Sequence, residues 1–257
     1  MEGYALITGA TSGIGLELAL NFAKDGISLI LVARGEEKLK ELKSRFETDY
    51  AVDVRVYAKD LTKDKAAEEL YEAIMEEGLQ VDYLVNNAGF GSFGRLVDTD
   101  LSVEKDLVKL NVLSLLEMNK RFVKPMAERG YGYVLNVASL AAFMPGPVMA
   151  NYYASKAYVL SLSEAMHEEL KHQGVKVSAL CPGPVKTGFQ ERAKMQKTPA
   201  SKAFMMEAKA VADIGYLGMW RGKAVVVPGT FEKVIPVLTR LLPRSLVRKA
   251  AFLSQQE

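Results

Sequence analysis

At 257 residues, 49% apolar and 25% charged, the chain has the length and balance of one large globular domain with a sizeable core. Lys and Arg number 33 and Asp and Glu 31, a net charge of +2, which argues against a nucleic-acid binder. The single cysteine, Cys181, excludes a disulfide within the chain, and with only His167 and His172 beside it no metal site is expected.

Short apolar runs alternate with helical patterns. Tyr4–Ile7 reads as a first strand, and Gly13 to Lys24 as a helix stopped by Gly26. Ser28–Ala33 is almost wholly apolar, as a strand covered on both faces must be. A charged amphipathic helix over Glu36–Phe46, a strand over Val52–Ala58 and a helix over Lys63–Glu77 follow, then a strand at Tyr83–Asn86. A long helix spans about Val103 to Glu128, with Pro125 bending or shortening its last turn. A fifth strand at Tyr133–Val137 precedes a helix over Asn151–His172, stopped by Gly174; strands at Val175–Leu180 and Ala224–Val227 complete the set.

This alternation predicts an α/β fold: a doubly wound, Rossmann-like parallel sheet of about seven strands with helices on both faces. One domain is expected over 1–257, with 188–210 as a substrate lid and 231–257 as a C-terminal extension. Tyr4–Ile7 is too short for a secretory signal, and no run approaches the roughly 18 apolar residues of a membrane span. A cytoplasmic protein is expected.

The first strand-to-helix turn reads Thr8-Gly9-Ala10-Thr11-Ser12-Gly13-Ile14-Gly15. Free N–H groups and the positive end of a helix dipole at such a turn attract phosphates. Gly9 suits the tight turn, Gly13 the close approach of a pyrophosphate, and Gly15 the packing of helix on strand. The spacing is G-x-x-x-G-x-G, weak alone but placed where a dinucleotide would be held. Gly9, Thr11, Ser12, Gly13, Ile14 and Gly15 are the candidate cradle.

An acidic residue at the end of the second strand would bind the ribose of NAD, and an arginine the 2′-phosphate of NADP. Arg34 stands there, with Lys38 one helical turn on, while Glu36 and Glu37 complement the helix dipole. A guanidinium matches phosphate geometry. NADP(H) is therefore expected ahead of NAD(H).

Taken with Asp60-Leu61, Asn86-Asn87-Ala88-Gly89, Asn111, Ser139, Tyr152-Tyr153-Ala154-Ser155-Lys156 and Pro182-Gly183-Pro184-Val185-Lys186-Thr187, the chain resembles the short-chain dehydrogenase/reductase family over its whole length. The resemblance implies a catalytic tetrad of Asn111, Ser139, Tyr152 and Lys156. It places Asp60 and Leu61 at the adenine, and Asn87, Ala88 and Gly89 along the adenosine ribose side and the central sheet. It places Pro182, Gly183, Val185 and Thr187 over the nicotinamide, with Lys156 on its ribose and a water beside Asn111. Ser12 stands where some NADP-using members carry a basic residue, so the NADP expectation rests on Arg34. A homodimer or homotetramer is implied in the same way.

Elementary chemistry points to the same pair. Tyr152 and Lys156 are i and i+4 on a helix and share a face. Tyr153 has Ala157 in that position and is not the candidate. A free phenol titrates near pH 10; a nearby ammonium would favour the phenolate and bring it toward the working range of an acid/base. Ser139 ends a strand at the sheet's carboxyl edge, where its hydroxyl could steady a developing oxyanion. The expected activity is NADP(H)-dependent interconversion of a carbonyl and a secondary alcohol, the alternative being a sensor or scaffold that binds the dinucleotide without turnover.

Phe90, Phe93, Phe143, Met144, Met149, Phe189, Met195, Phe204, Met205 and Met206 are candidates for a hydrophobic substrate pocket or a lid. From Phe231 to Leu253 apolar residues alternate with Lys233, Arg240, Arg244, Arg248 and Lys249, and Pro236 and Pro243 prevent one continuous helix. Cover of the substrate mouth or a subunit interface is the plainer reading of this tail, and weak peripheral membrane contact the other.

Overall fold

A computed structural model describes residues 3–193, 205–230 and 232–253. Its centre is a parallel sheet of seven strands: β1 (Tyr4–Thr8), β2 (Leu29–Ala33), β3 (Val54–Ala58), β4 (Val81–Asn86), β5 (Gly132–Val137), β6 (Val175–Leu180) and β9 (Val225–Val226). The order across the sheet is β3-β2-β1-β4-β5-β6-β9. The chain therefore winds outward from β1 to β3, then returns past β1 to β4. That reversal leaves a crevice at the carboxyl ends of β1 and β4, the place where open α/β sheets take ligands.

Side-chain alternation builds two cores. Ala5, Ile7, Leu29, Leu31, Val85 and Leu135 point to one face, against Leu18 and Phe22 of α1 (Gly13–Lys24), Leu39 and Phe46 of α2 (Glu36–Tyr50) and Met219 of α8 (Ala208–Trp220). Leu6, Ile30, Val32, Leu84 and Val134 point to the other, against Leu70 and Ile74 of α3 (Ala66–Glu76) and Met118, Phe122 and Met126 of α5 (Leu115–Arg129). A third cluster packs Val159 and Leu160 of α6 (Ala150–Leu170) on Ala138, Ala179 and Cys181.

Several boundaries differ from the sequence reading for local reasons. α2 continues past Phe46 to Tyr50, where i,i+4 pairs Lys43–Glu47 and Arg45–Asp49 extend it. α3 starts late because Lys65 is left-handed (φ 63). Pro125 lies inside its helix without shortening it: the helix reaches Arg129, one residue past the expected end, with Phe122 and Met126 buried, and stops at Gly130 (φ 72). The long helix from Val103 is not one helix. α4 (Leu101–Val108), capped by Asp100 on the Ser102 N–H, passes into a π-helical turn over Lys109–Ser114 before α5 begins. Such a turn inserts an extra residue into the ladder and is frequent at functional sites; here it turns Asn111 and Ser114 inward.

Beyond β6, β7 (Val185–Lys186) pairs with β8 (Met206–Glu207), a ribbon that flanks α7 (Phe189–Arg192) and that no sequence pattern announced. Residues 194–204, with Met195 and Phe204, lie outside the described residues, as do Phe231 and the last four positions. The tail forms α9 (Ile235–Leu241) and α10 (Arg244–Leu253), separated at Pro243 as expected. Among the described residues no helix is long and apolar enough to cross a membrane, and no group of His, Cys, Asp and Glu is placed to hold a metal ion.

Candidate active site

A cleft of about 1000 Å³ opens at the crevice between β1 and β4. Its frame is a lock between those strands. Thr8 Oγ1 accepts from the N–H groups of Asn87 and Ala88, each at 3.0 Å, and Asn87 Nδ2 donates to the carbonyls of Thr8 (2.9 Å) and Gly9 (3.2 Å). A Cβ on Gly15 would overlap Asn87 Nδ2 and stand 2.5 Å from the Gly9 carbonyl oxygen. Only glycine lets α1 sit this close to the lock.

The turn between β1 and α1 lies open to the cleft. Gly9 and Gly13 both have left-handed φ (66° and 56°). A Cβ on Gly13 would stand 2.9 Å from Thr187 Cγ2, so the segment after β6 folds directly onto this turn. The α1 N-terminus carries no side-chain cap and no acidic residue in its first turn, which leaves its N–H groups and dipole to an anion. A dinucleotide pyrophosphate fits that cradle.

Of the candidate dinucleotide residues, Gly9, Thr11, Ser12, Gly13, Ile14, Arg34, Asp60, Leu61, Asn87, Ala88, Gly89, Pro182, Gly183, Val185 and Thr187 line this one cleft. Arg34 is exposed at its edge and forms no ion pair among the described residues; against the upward push of burial, the Thr62 hydrogen bonds, and after them the Arg34 charge, hold the Asp60 carboxyl below its ordinary range. Lys38 is not among the residues that line the cleft; it is exposed, and its Nζ donates to both carboxylate oxygens of Glu41 at 2.9 and 2.8 Å. Lys59 and Thr62, which the sequence reading passed over, line the cleft beside Asp60.

Ser139, Tyr152 and Lys156 stand together on the cleft wall. Ser139 caps the 3-10 turn Leu140–Phe143: its Oγ accepts from the Ala141 N–H at 3.1 Å and donates to the Pro182 carbonyl at 3.4 Å. Lys156 is buried, and its Nζ donates to the Val137 carbonyl at 2.7 Å while lying 5.9 Å from the centre of the Tyr152 ring. Asn111 lies behind them. Its amide bonds the Phe90 N–H (3.1 Å), the Phe90 carbonyl (3.0 Å) and Ser155 Oγ (3.1 Å). Gly89 separates it from the lysine: a Cβ there would stand 3.0 Å from Asn111 Oδ1 and 3.5 Å from Lys156 Nζ.

The acid–base balance reverses the sequence expectation. Burial pushes the Tyr152 phenol up to about 12, against a hydrogen bond from Ser139 that acts to lower it. Burial pushes Lys156 down to about 8. Loss of water around the phenol dominates its balance, while the Lys156 ammonium is engaged with the Val137 carbonyl.

Phe90, Phe93, Met149, Phe189 and Met205 line the same cleft beyond Tyr152. Phe143 instead packs on the third core cluster and Met206 on the first. Phe189 lies 5.3 Å from Tyr152 between ring centres. Neither histidine is in the cleft; His167 Nδ1 bonds the Val177 carbonyl at 2.8 Å. Cys181 is fully buried, as expected of a core residue.

Comparison with known proteins agrees with this architecture. The short chain dehydrogenase family model matches residues 3–198. The chain is 32% identical over 270 residues to the very-long-chain 3-oxoacyl-CoA reductase of Anas platyrhynchos, covering 100% of this chain and 84% of that protein. It is 30% identical to the 17-beta-hydroxysteroid dehydrogenase type 3 of Mus musculus, covering 84% and 70%. Among solved structures, a short-chain dehydrogenase from Sphingobium yanoikuyae in complex with NADPH superposes with a TM-score of 0.83 at 28% identity, covering 94% of this chain and 96% of that one. One from Burkholderia phymatum in complex with NAD superposes at 0.80 and 25%, covering 93% and 92%.

Proposed function

The chain belongs to the short-chain dehydrogenase/reductase family and is a carbonyl/alcohol oxidoreductase; on that premise we propose NADP(H) as its dinucleotide and a hydrophobic molecule as its substrate. The observation that carries the proposal is the continuity of the cleft. One cavity joins Arg34, the glycine turn, the Ser139–Tyr152–Lys156 group and an apolar end made by Phe90, Phe93, Met149, Phe189 and Met205. Arg34, exposed and without an ion pair among the described residues, offers a guanidinium to the phosphate that distinguishes NADP from NAD.

When bound, the dinucleotide supplies or accepts the hydride. The protein's own groups place the substrate and move the proton. Ser139 and Tyr152 hold the carbonyl oxygen between two hydroxyls. In the reducing direction Tyr152 donates its proton to that oxygen, and burial, which raises the phenol, keeps the proton on it at neutral pH. Lys156 and Asn111, facing each other across Gly89, form the path along which the tyrosine is reprotonated. Lys156 would hold the ribose hydroxyls of the dinucleotide. A homodimer or homotetramer in the cytoplasm completes this reading.

The test is a panel of hydrophobic ketones and secondary alcohols, followed by dinucleotide absorbance with NADPH and NADH in parallel. Turnover favouring NADPH is expected. Tight dinucleotide binding with no turnover across the panel would point to the sensor reading instead.

A further inference from the structure

The tail raises a separate question. Of the large apolar side chains exposed among the described residues, Val237, Leu238, Leu241, Leu242, Leu246 and Leu253 all lie on α9 and α10 or the turn between them. Leu241 is 77% and Leu253 62% exposed. Soluble monomers rarely gather such a patch without a partner for it.

Charge says which partner. Lys233, Arg240, Arg244, Arg248 and Lys249 are all exposed, and none has an ion pair among the described residues. No Asp or Glu occurs between Lys233 and Leu253. The inner side of α10 is settled by Val247 and Ala251, both buried, so cations and leucines share the outer surface. A second copy seated face to face on this surface would set five cations against five. A bilayer with anionic headgroups accepts both components: leucines enter the acyl boundary while arginines and lysines stay with the phosphates.

We propose that α9 and α10 form a docking surface for an anionic lipid bilayer. Its position relative to the cleft gives this a consequence. α9 packs on the Leu140–Phe143 turn that follows Ser139. Glu232, at the start of the tail, lies beside Gly183 of the cleft wall, where a Cβ would stand 3.5 Å from its Cγ. Docking therefore sets the cleft close to the membrane, where a hydrophobic substrate partitions. The docking itself does not depend on the proposed dinucleotide or substrate and is read without turnover.

The experiment is co-sedimentation of the full-length protein with phosphatidylcholine vesicles, with and without phosphatidylglycerol, at low and high salt. Binding only to the anionic vesicles, reversed by salt, is expected. Replacing Arg240, Arg244 and Arg248 together by Gln should weaken it by about 100-fold, at roughly fivefold per cation. Leu241→Asn should weaken it at unchanged charge. Both variants should keep the wild-type melting temperature and turnover. Absence of wild-type binding at low salt, or a triple variant that binds like wild type, would overturn the proposal. So would a dimer that Leu241→Asn dissolves with no change in vesicle binding, which would give the face to a second copy.

Discussion

The dinucleotide end of the cleft is shaped largely by backbone, and its substrate end by side chains. Around Gly9 and Gly13 the decisive features are left-handed turns, the carbonyls that Asn87 binds, and distances at which no Cβ fits. Beyond Tyr152 the walls are Phe90, Phe93, Met149, Phe189 and Met205, drawn from four separate segments. A backbone-built site admits one kind of ligand and tolerates few substitutions. A site walled by aromatic and methionine side chains can be reshaped without disturbing the fold. The Ser139–Tyr152–Lys156 group lies where the two meet, and mutations on either side should separate their contributions.

The largest effect is expected at that junction. Ser139→Ala removes a donor to the developing oxyanion and should lower kcat by about 10²–10³-fold, with dinucleotide affinity unchanged in a fluorescence titration. Next is Arg34→Asp at the dinucleotide end. Loss of a charged hydrogen bond to phosphate should weaken NADPH binding by about 10–100-fold and turn the preference toward NADH; an unchanged ratio of kcat/KM for the two would refute the role of Arg34. Gly15→Ala tests the close packing of α1 on the lock between β1 and β4. Its Cβ would collide with Asn87 and the Gly9 carbonyl, so a loss of about 1–3 kcal/mol in denaturant unfolding is expected, with weaker dinucleotide binding. The smallest effect belongs to the substrate end. Phe189→Ala removes a ring tilted against Tyr152 at 5.3 Å between ring centres, and a roughly two- to tenfold rise in KM, with kcat retained, is expected.

The junction also carries a pH signature. Lys156 titrates near 8 in the folded chain and near 10.5 when exposed. Between those values the unfolded chain binds the extra proton, so this group destabilises the fold at low pH, and its cost is relieved as pH rises through that window. Burial also raises Cys181 from 9.0 to about 12, which acts in the opposite sense above pH 9. The Lys156 contribution is therefore read as the difference between wild-type and Lys156→Met thermal melts at each pH, and a difference that stays constant across the window would place the effect elsewhere.

The same contrast explains what was legible in the sequence. The seven strands were, because a strand covered on both faces must be apolar, as Leu29–Ala33 is. The glycine turn was, because Gly9, Gly13 and Gly15 are required by backbone geometry. The π-helical turn that turns Asn111 inward was not: an extra residue in a helix leaves no mark in a periodic pattern. Nor was the position of Lys38, since a lysine one turn from Arg34 is free to choose Glu41 over the cleft. Burial raised Tyr152 where a nearby ammonium was expected to lower it, and Lys156 bonds the Val137 carbonyl, 19 residues away in sequence; burial and partner choice both depend on tertiary packing. The split of the apolar candidates, with Phe143 and Met206 in the core and Phe189 and Met205 in the cleft, was likewise decided by packing.

Tyr152 moves the proton in a cleft built to hold the dinucleotide independently of it. Tyr152→Phe separates the two, with NADPH turnover on a responsive ketone and NADPH affinity measured on the same preparation. The expected result is a fall in kcat of about 10²–10⁴-fold at unchanged affinity. Turnover close to wild type would contradict the assignment of Tyr152.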